Sequence, residues 1–163
     1  MQQSGNDSDK KLVVTAIRPS ECGFSEGKQN RSYLQLGRGC DTFGIIAHEL
    51  GHALGLIHTM NRPDRDEYVT VKFRNMPKEY QAQFKKVSEA DNENFGIGYD
   101  YGSIMHYRRR SPGSKNNPFM VPTDKKYGFT MGSGMISFSD ISLVNELYSC
   151  KGTVAGQVRP VHI

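Results

Sequence analysis

The chain has 163 residues, 36% of them hydrophobic, 10% aromatic and 23% charged, a composition that fits one soluble domain with a single core. No apolar run approaches the roughly 18 residues needed for a membrane-spanning helix. The net charge of +4 arises from basic residues scattered along the chain, apart from Arg108, Arg109 and Arg110, and these lack the aromatic or glycine pattern of a nucleic-acid module.

Residues 1–10 are polar and charged and read as a disordered segment without the hydrophobic centre of a signal peptide. Export is then encoded elsewhere, or the start is missing. Residues 12–17, Leu-Val-Val-Thr-Ala-Ile, are apolar and β-branched enough for a buried strand stopping at Arg18-Pro19. Turn-forming residues dominate positions 21–30, so a loop is expected there, followed by a short strand through Tyr33, Leu34 and Leu36. Asp41 or Thr42 can cap a helix whose apolar positions are Ile45, Ile46, Leu50, Ala53 and Leu54, and Gly55 suits a left-handed helix end. The spacing of Tyr80, Phe84 and Val87 predicts a second helix over 78–87. Gly and Pro recur through 96–134, where only 119–121 reads as a strand. A last helix begins near Ser139, with Asp140 in its first turn and Ile141, Leu143, Val144 and Leu147 as apolar positions.

Residues 48–58 read His-Glu-Leu-Gly-His-Ala-Leu-Gly-Leu-Ile-His. On a helix His48 and His52 share one face, with Cβ atoms about 5 to 6 Å apart, which lets two imidazoles reach one cation. A continuous helix would point His58 elsewhere, and the break at Gly55 is what returns it as a third ligand. Three neutral imidazoles suit one Zn²⁺ and leave a position open for water, the arrangement of a catalytic rather than a structural site. Glu49 is rotated about 100° from His48, beside the metal water, and is the expected general base for hydrolysis of a peptide bond. Histidine pairs on helices are also incidental or structural features, and Gly55 with His58 is what makes this spacing specific.

Three cysteines, Cys22, Cys40 and Cys150, leave one without a partner if the other two pair. Cys22 and Cys40 bracket a loop that would gain from a cross-link, and three reduced thiols in a cytosolic protein is the alternative.

Downstream, residues 58–69 read His-Thr-Met-Asn-Arg-Pro-Asp-Arg-Asp-Glu-Tyr-Val and resemble the astacin signature, and Tyr-Gly-Ser-Ile-Met-His-Tyr at 101–107 resembles that family's Met-turn. The Cys22 to Cys40 loop and a final helix ending in Cys150 are also similar, so the resemblance runs from about residue 11 to 150. It implies an α+β, zincin-like metalloprotease catalytic domain with a twisted sheet, a zinc-binding active-site helix and a mostly irregular C-terminal half. The family's domain is longer at its start, so the N-terminal part is apparently missing, and with it a cysteine for Cys150. The division expected is a disordered segment 1–10, a partial peptidase domain 11–150 and a tail 151–163.

By the same resemblance His48, His52 and His58 hold one zinc and Glu49 is catalytic. Met105 is an apolar floor beneath the metal, where a plain core methionine would look nearly the same. Tyr107 is a metal-proximal phenol that in the family can ligate zinc in the resting enzyme and swing to stabilise the transition state, where a buried tyrosine is the bland reading. His106 is not a ligand. Arg62, Asp64, Arg65 and Asp66 form loop-holding ion pairs rather than a solvated run. Thr59 stands where the family usually has a glutamate that contacts the mature N-terminus, and Ser111-Pro112-Gly113 replaces an aromatic-serine pair of the cleft wall. Arg108 to Arg110 suggest acidic substrate residues after the cut, against a merely solvated face. The expected function is zinc-dependent endopeptidase action on a protein or peptide substrate, in a secreted protein, through a zinc-bound water activated by Glu49. The rivals are a truncated, inactive domain that binds zinc and peptides, and an adhesive domain whose histidines only stabilise the fold.

Overall fold

The structure, a computed structural model, describes residues 10–110 and 117–150. Most of the expected disordered start, the tail 151–163 and Ser111-Pro112-Gly113 lie outside the described residues. Strands β1 (Lys11–Thr15), β2 (Cys22–Glu26) and β3 (Arg31–Leu36) form a sheet in the order β1-β3-β2, β1 running parallel and β2 antiparallel to β3.

β2 occupies the stretch expected to be a loop. Gly23 and Ser25 carry no strand signal, and the strand exists because β3 pairs with it from Cys22 opposite Leu36 to Glu26 opposite Ser32. The reversal places Gln29 and Asn30 at φ of 59° and 55°, a left-handed stretch that closes with Gly27 donating to the Arg31 carbonyl. β1 is not the buried strand its composition suggests: Leu12, Val13 and Val14 are 41%, 36% and 61% exposed. Helix α1 (Phe43–Ala53) packs on β2 and β3, and β1 lies at the sheet edge away from it.

The disulfide between Cys22 and Cys40, with Cα atoms 5.6 Å apart, ties the start of β2 to the turn before α1, while Cys150 is a free, exposed thiol. Thr42 is the N-cap of α1 but makes no side-chain cap bond. At the other end Gly55 takes φ of 91°, and the Leu56 amide returns to the Gly51 carbonyl at 2.9 Å, so the chain doubles back under its own helix.

Beyond α1 most of the chain is turns and single 3₁₀ turns, held by β4 (Val69–Val71) against β5 (Met120–Pro122) and by a core of Met60, Val69, Met76, Phe84, Tyr101, Phe119, Met120 and Met131. The helix expected over 78–87 is shorter: α2 (Lys78–Gln81) tightens into a 3₁₀ turn at Ala82–Phe84 and stops. Its later carbonyls are claimed by side chains from elsewhere, those of Gln83 and Lys85 by Asn61 Nδ2 and that of Phe84 by Arg65 Nη1, so they are not free for helical amides.

α3 (Phe138–Leu147) starts one residue earlier than expected, with a capping box between Ser137 and Asp140. Asp140 does more than cap. Only 3% exposed, it accepts Ser103 Oγ at 2.6 Å, the Ile104 amide at 3.0 Å and the Ser137 amide at 2.8 Å, which joins α3 to the turn carrying Met105. Replacing it strands two buried donors and one half-buried one, so Asp140→Ala should cost about 3 kcal/mol in urea unfolding, against about 1 kcal/mol for Ser137→Ala. Equal losses for the two variants would show that Asp140 is a cap and not a junction.

Candidate metal centre and catalytic cleft

His48 and His52 face the same way from α1, their rings edge to face with centroids 4.9 Å apart. Each is held by its Nδ1, His48 to the Ile104 carbonyl at 2.7 Å and His52 to the Leu56 carbonyl at 2.9 Å. A carbonyl only accepts, so both Nδ1 atoms carry the proton, and in a neutral ring Nε2 is then a bare lone pair. His58, returned by the reversal at Gly55, brings its Nε2 to 3.1 Å from both His48 Nε2 and His52 Nε2.

Two facing lone pairs repel, and a single proton on His58 Nε2 can satisfy only one of them. A cation resolves the crowding. Tetrahedral bonds of about 2.05 Å to zinc would set the nitrogens about 3.3 Å apart, close to the separations found, so the donor set fits one Zn²⁺. Burial and the neighbouring rings pull the His58 pKa down to about 3, and burial lowers that of His52 as well. At neutral pH these rings therefore need lose no proton to bind a metal.

Glu49, between the first two histidines, is buried at 9% exposure, and its pKa is raised mainly by desolvation, against the opposing pull of His48 and the Phe24 backbone on β2. β2, the strand that sequence reasoning missed, thus borders the carboxylate. The Tyr107 ring lies 4.5 Å from the His58 ring, and burial, with the nearby Glu49, keeps its phenol protonated. Met105, 2% exposed, lies under the helix, where a Cβ on Gly51 would meet its sulfur at 2.6 Å and displace it. That role of Gly51 had no signal beyond its place in the motif.

The other site expectations can be placed directly. His106 faces away from the triad, its Nδ1 donating to the Tyr107 carbonyl at 2.7 Å and its Nε2 accepting from Tyr99 Oη at 2.9 Å. Arg62 pairs with Asp64 through two bonds of 2.9 and 2.7 Å, Arg65 with Asp66 at 3.0 Å, and Lys86 joins Asp66 at 2.8 Å. Arg62 and Arg65 are only 6% and 5% exposed and spend their remaining donors on the carbonyls of Ile97, Gly98, Met60 and Phe84. Thr59 is buried and donates to Ser103 Oγ at 3.1 Å, the hydroxyl that Asp140 holds. Arg108 and Arg110 are exposed, whereas Arg109 Nε is buried without a hydrogen-bond partner among the described residues.

Comparison with known proteins agrees with this geometry. Residues 2–149 match the family model described as Astacin, a peptidase family. The chain is 48% identical over 118 residues to zinc metalloproteinase nas-31 of Caenorhabditis elegans, covering 72% of this chain and 19% of that protein. It is 42% identical over 145 residues to zinc metalloproteinase dpy-31 of Brugia malayi, covering 86% and 24%. The chain thus spans about a fifth to a quarter of the length of these relatives. Among solved structures it resembles high choriolytic enzyme 1, a hatching enzyme zinc-protease from the medaka Oryzias latipes, with a TM-score of 0.76 and 33% identity over 86% of this chain and 69% of that one.

Equilibrium dialysis against zinc at pH 7.5 should load one ion per chain, and His58→Ala should weaken binding by about 100-fold or more. Unchanged affinity in that variant would remove His58 from the ligand set.

Proposed function

Since the chain belongs to the astacin family of zinc peptidases, we propose that it hydrolyses internal peptide bonds of protein substrates, with His48, His52 and His58 holding zinc, Glu49 as general base and Tyr107 as a transition-state donor. The observation that carries this reading is the convergence of three imidazole nitrogens beside a buried carboxylate. Zinc, when bound, supplies Lewis acidity that acidifies water toward a pKa of about 7 and polarises a carbonyl oxygen.

The chain's own residues do the rest. Desolvation makes the Glu49 carboxylate a stronger base than an exposed glutamate, so it takes the proton of the attacking water and then passes it to the leaving amine. Tyr107, protonated and close to His58, donates its hydroxyl hydrogen bond to the oxygen that gains negative charge at the scissile carbon. Ile104 and Leu56 keep the two helix-borne imidazoles turned toward the centre throughout. The disulfide supports placement in an oxidising, extracellular setting.

Glu49→Gln should lower kcat by about 1,000-fold on a peptide substrate, within the range for a lost general base, while zinc content and melting temperature stay near those of the parent. If the parent binds zinc and peptides but cleaves nothing, the chain is instead a zinc- and peptide-binding domain. Acidic preference after the cut is the finer part of the reading, supported by the exposed Arg108 and Arg110 beside Tyr107. Cleavage of a randomised peptide library should then enrich Asp and Glu on that side about tenfold, and Arg108→Ala with Arg110→Ala should abolish the enrichment; a flat profile removes the preference.

A further inference from the structure

The Tyr107 phenol has a defined acceptor beside the triad. Its hydroxyl donates to the carboxamide oxygen of Gln83 at 2.9 Å. Gln83 sits in the 3₁₀ turn Ala82–Phe84, and the turn is anchored on three sides: Phe84 is 2% exposed, its carbonyl accepts from Arg65, and the Gln83 carbonyl accepts Asn61 Nδ2 at 2.8 Å. Asn61 also donates to the Lys85 carbonyl, and its own carbonyl accepts the Val87 amide at 2.8 Å. Buried three residues after His58, Asn61 donates its backbone amide to the His58 carbonyl at 2.8 Å. One continuous set of bonds therefore runs from the His58 backbone carbonyl, through Asn61, to the turn that carries Gln83 and on to the phenol.

We propose that Gln83 is a positioning residue for Tyr107, holding the phenol beside the triad through an acceptor whose own place is set by Asn61. This rests on Tyr107 acting as the transition-state donor. A phenol on a freely rotating side chain would have to be ordered as charge develops on the substrate oxygen. A phenol already tethered exchanges one acceptor for another, keeps its proton, and spares most of that ordering. Gln83 is exposed, so packing does not require an amide at this position.

The test is a double-mutant cycle in the full chain. Gln83→Met, which keeps length and removes the acceptor, should lower kcat about tenfold with KM changed less than about twofold. Gln83→Glu, which keeps an acceptor oxygen at the same reach, should retain more of kcat than Gln83→Met. With Tyr107→Phe there is no hydroxyl to hold, so Gln83→Met should add nothing further in that background. An equal tenfold loss in both backgrounds would mean that Gln83 only supports the fold, and overturns the proposal. A second readout needs no activity: in zinc-free protein with carbon-13-labelled tyrosine, Gln83→Met should shift the Tyr107 ring signals and leave Tyr68, Tyr99 and Tyr101 in place. Unmoved Tyr107 signals would also overturn it. A parent chain that cleaves no peptide would count against the proposed function alone, because the ring signals still decide the tether.

Discussion

The Nδ1 atoms of His48 and His52 give their protons to two backbone carbonyls, those of Ile104 and Leu56, and the metal centre follows from that constraint. With the protons committed there, the Nε2 lone pairs have nowhere to point but at each other and at His58 Nε2, 3.1 Å away. Left alone this would be an electrostatic liability. Filled by a divalent cation, it becomes a preorganised donor set in which burial has already kept His52 and His58 neutral. Both carbonyls come from chain that the helix itself does not contain, so the site depends on the reversal at Gly55 and on the Met105 turn packing underneath.

That packing is secured by polar as well as apolar contacts. Gly51 lets the Met105 sulfur approach the helix backbone, and Leu56, Ile104 and Met105 form one small buried cluster. On its far side the turn is fastened by a buried chain from Thr59 through Ser103 to Asp140, each of whose hydroxyl donors meets an acceptor. Thr59 follows His58 directly, so His58, the Met105 turn and α3 share one network. Polar groups buried this deeply stabilise only when each is satisfied, and here they specify one arrangement of three segments distant in sequence.

The mostly irregular half of the molecule is organised by guanidinium groups as well as by the β4–β5 pair and its apolar core. Arg62 and Arg65 are almost wholly buried, yet each has a carboxylate partner and carbonyls for its remaining donors. A planar cation with five donors can fasten several loops at once, which a short apolar side chain cannot. Arg62 also lies over the Tyr99 ring, and Tyr99 stacks on Tyr68, so the charged segment is continuous with an aromatic stack.

The three histidines, the carboxylate between two of them and the helix break were legible because they are encoded locally: one turn of α-helix sets the His48 to His52 spacing, and glycine alone takes φ of 91° without strain. Asp140 in the first turn of α3 was legible for the same reason, whereas its cap Ser137 was not. Strand β2, the exposure of β1, the early end of α2 and the tether on Tyr107 were not. Each depends on a partner far along the chain: β3 for β2, the seat of α1 for β1, Asn61 and Arg65 for α2, Gln83 for Tyr107. The sequence by itself determined which chemistry the chain carries, since ligand type and helical spacing are properties of neighbouring residues. Only the tertiary structure decided which carbonyls take the histidine protons and which amide holds the phenol, because hydrogen bonds across dozens of residues leave no periodic mark on the chain that makes them.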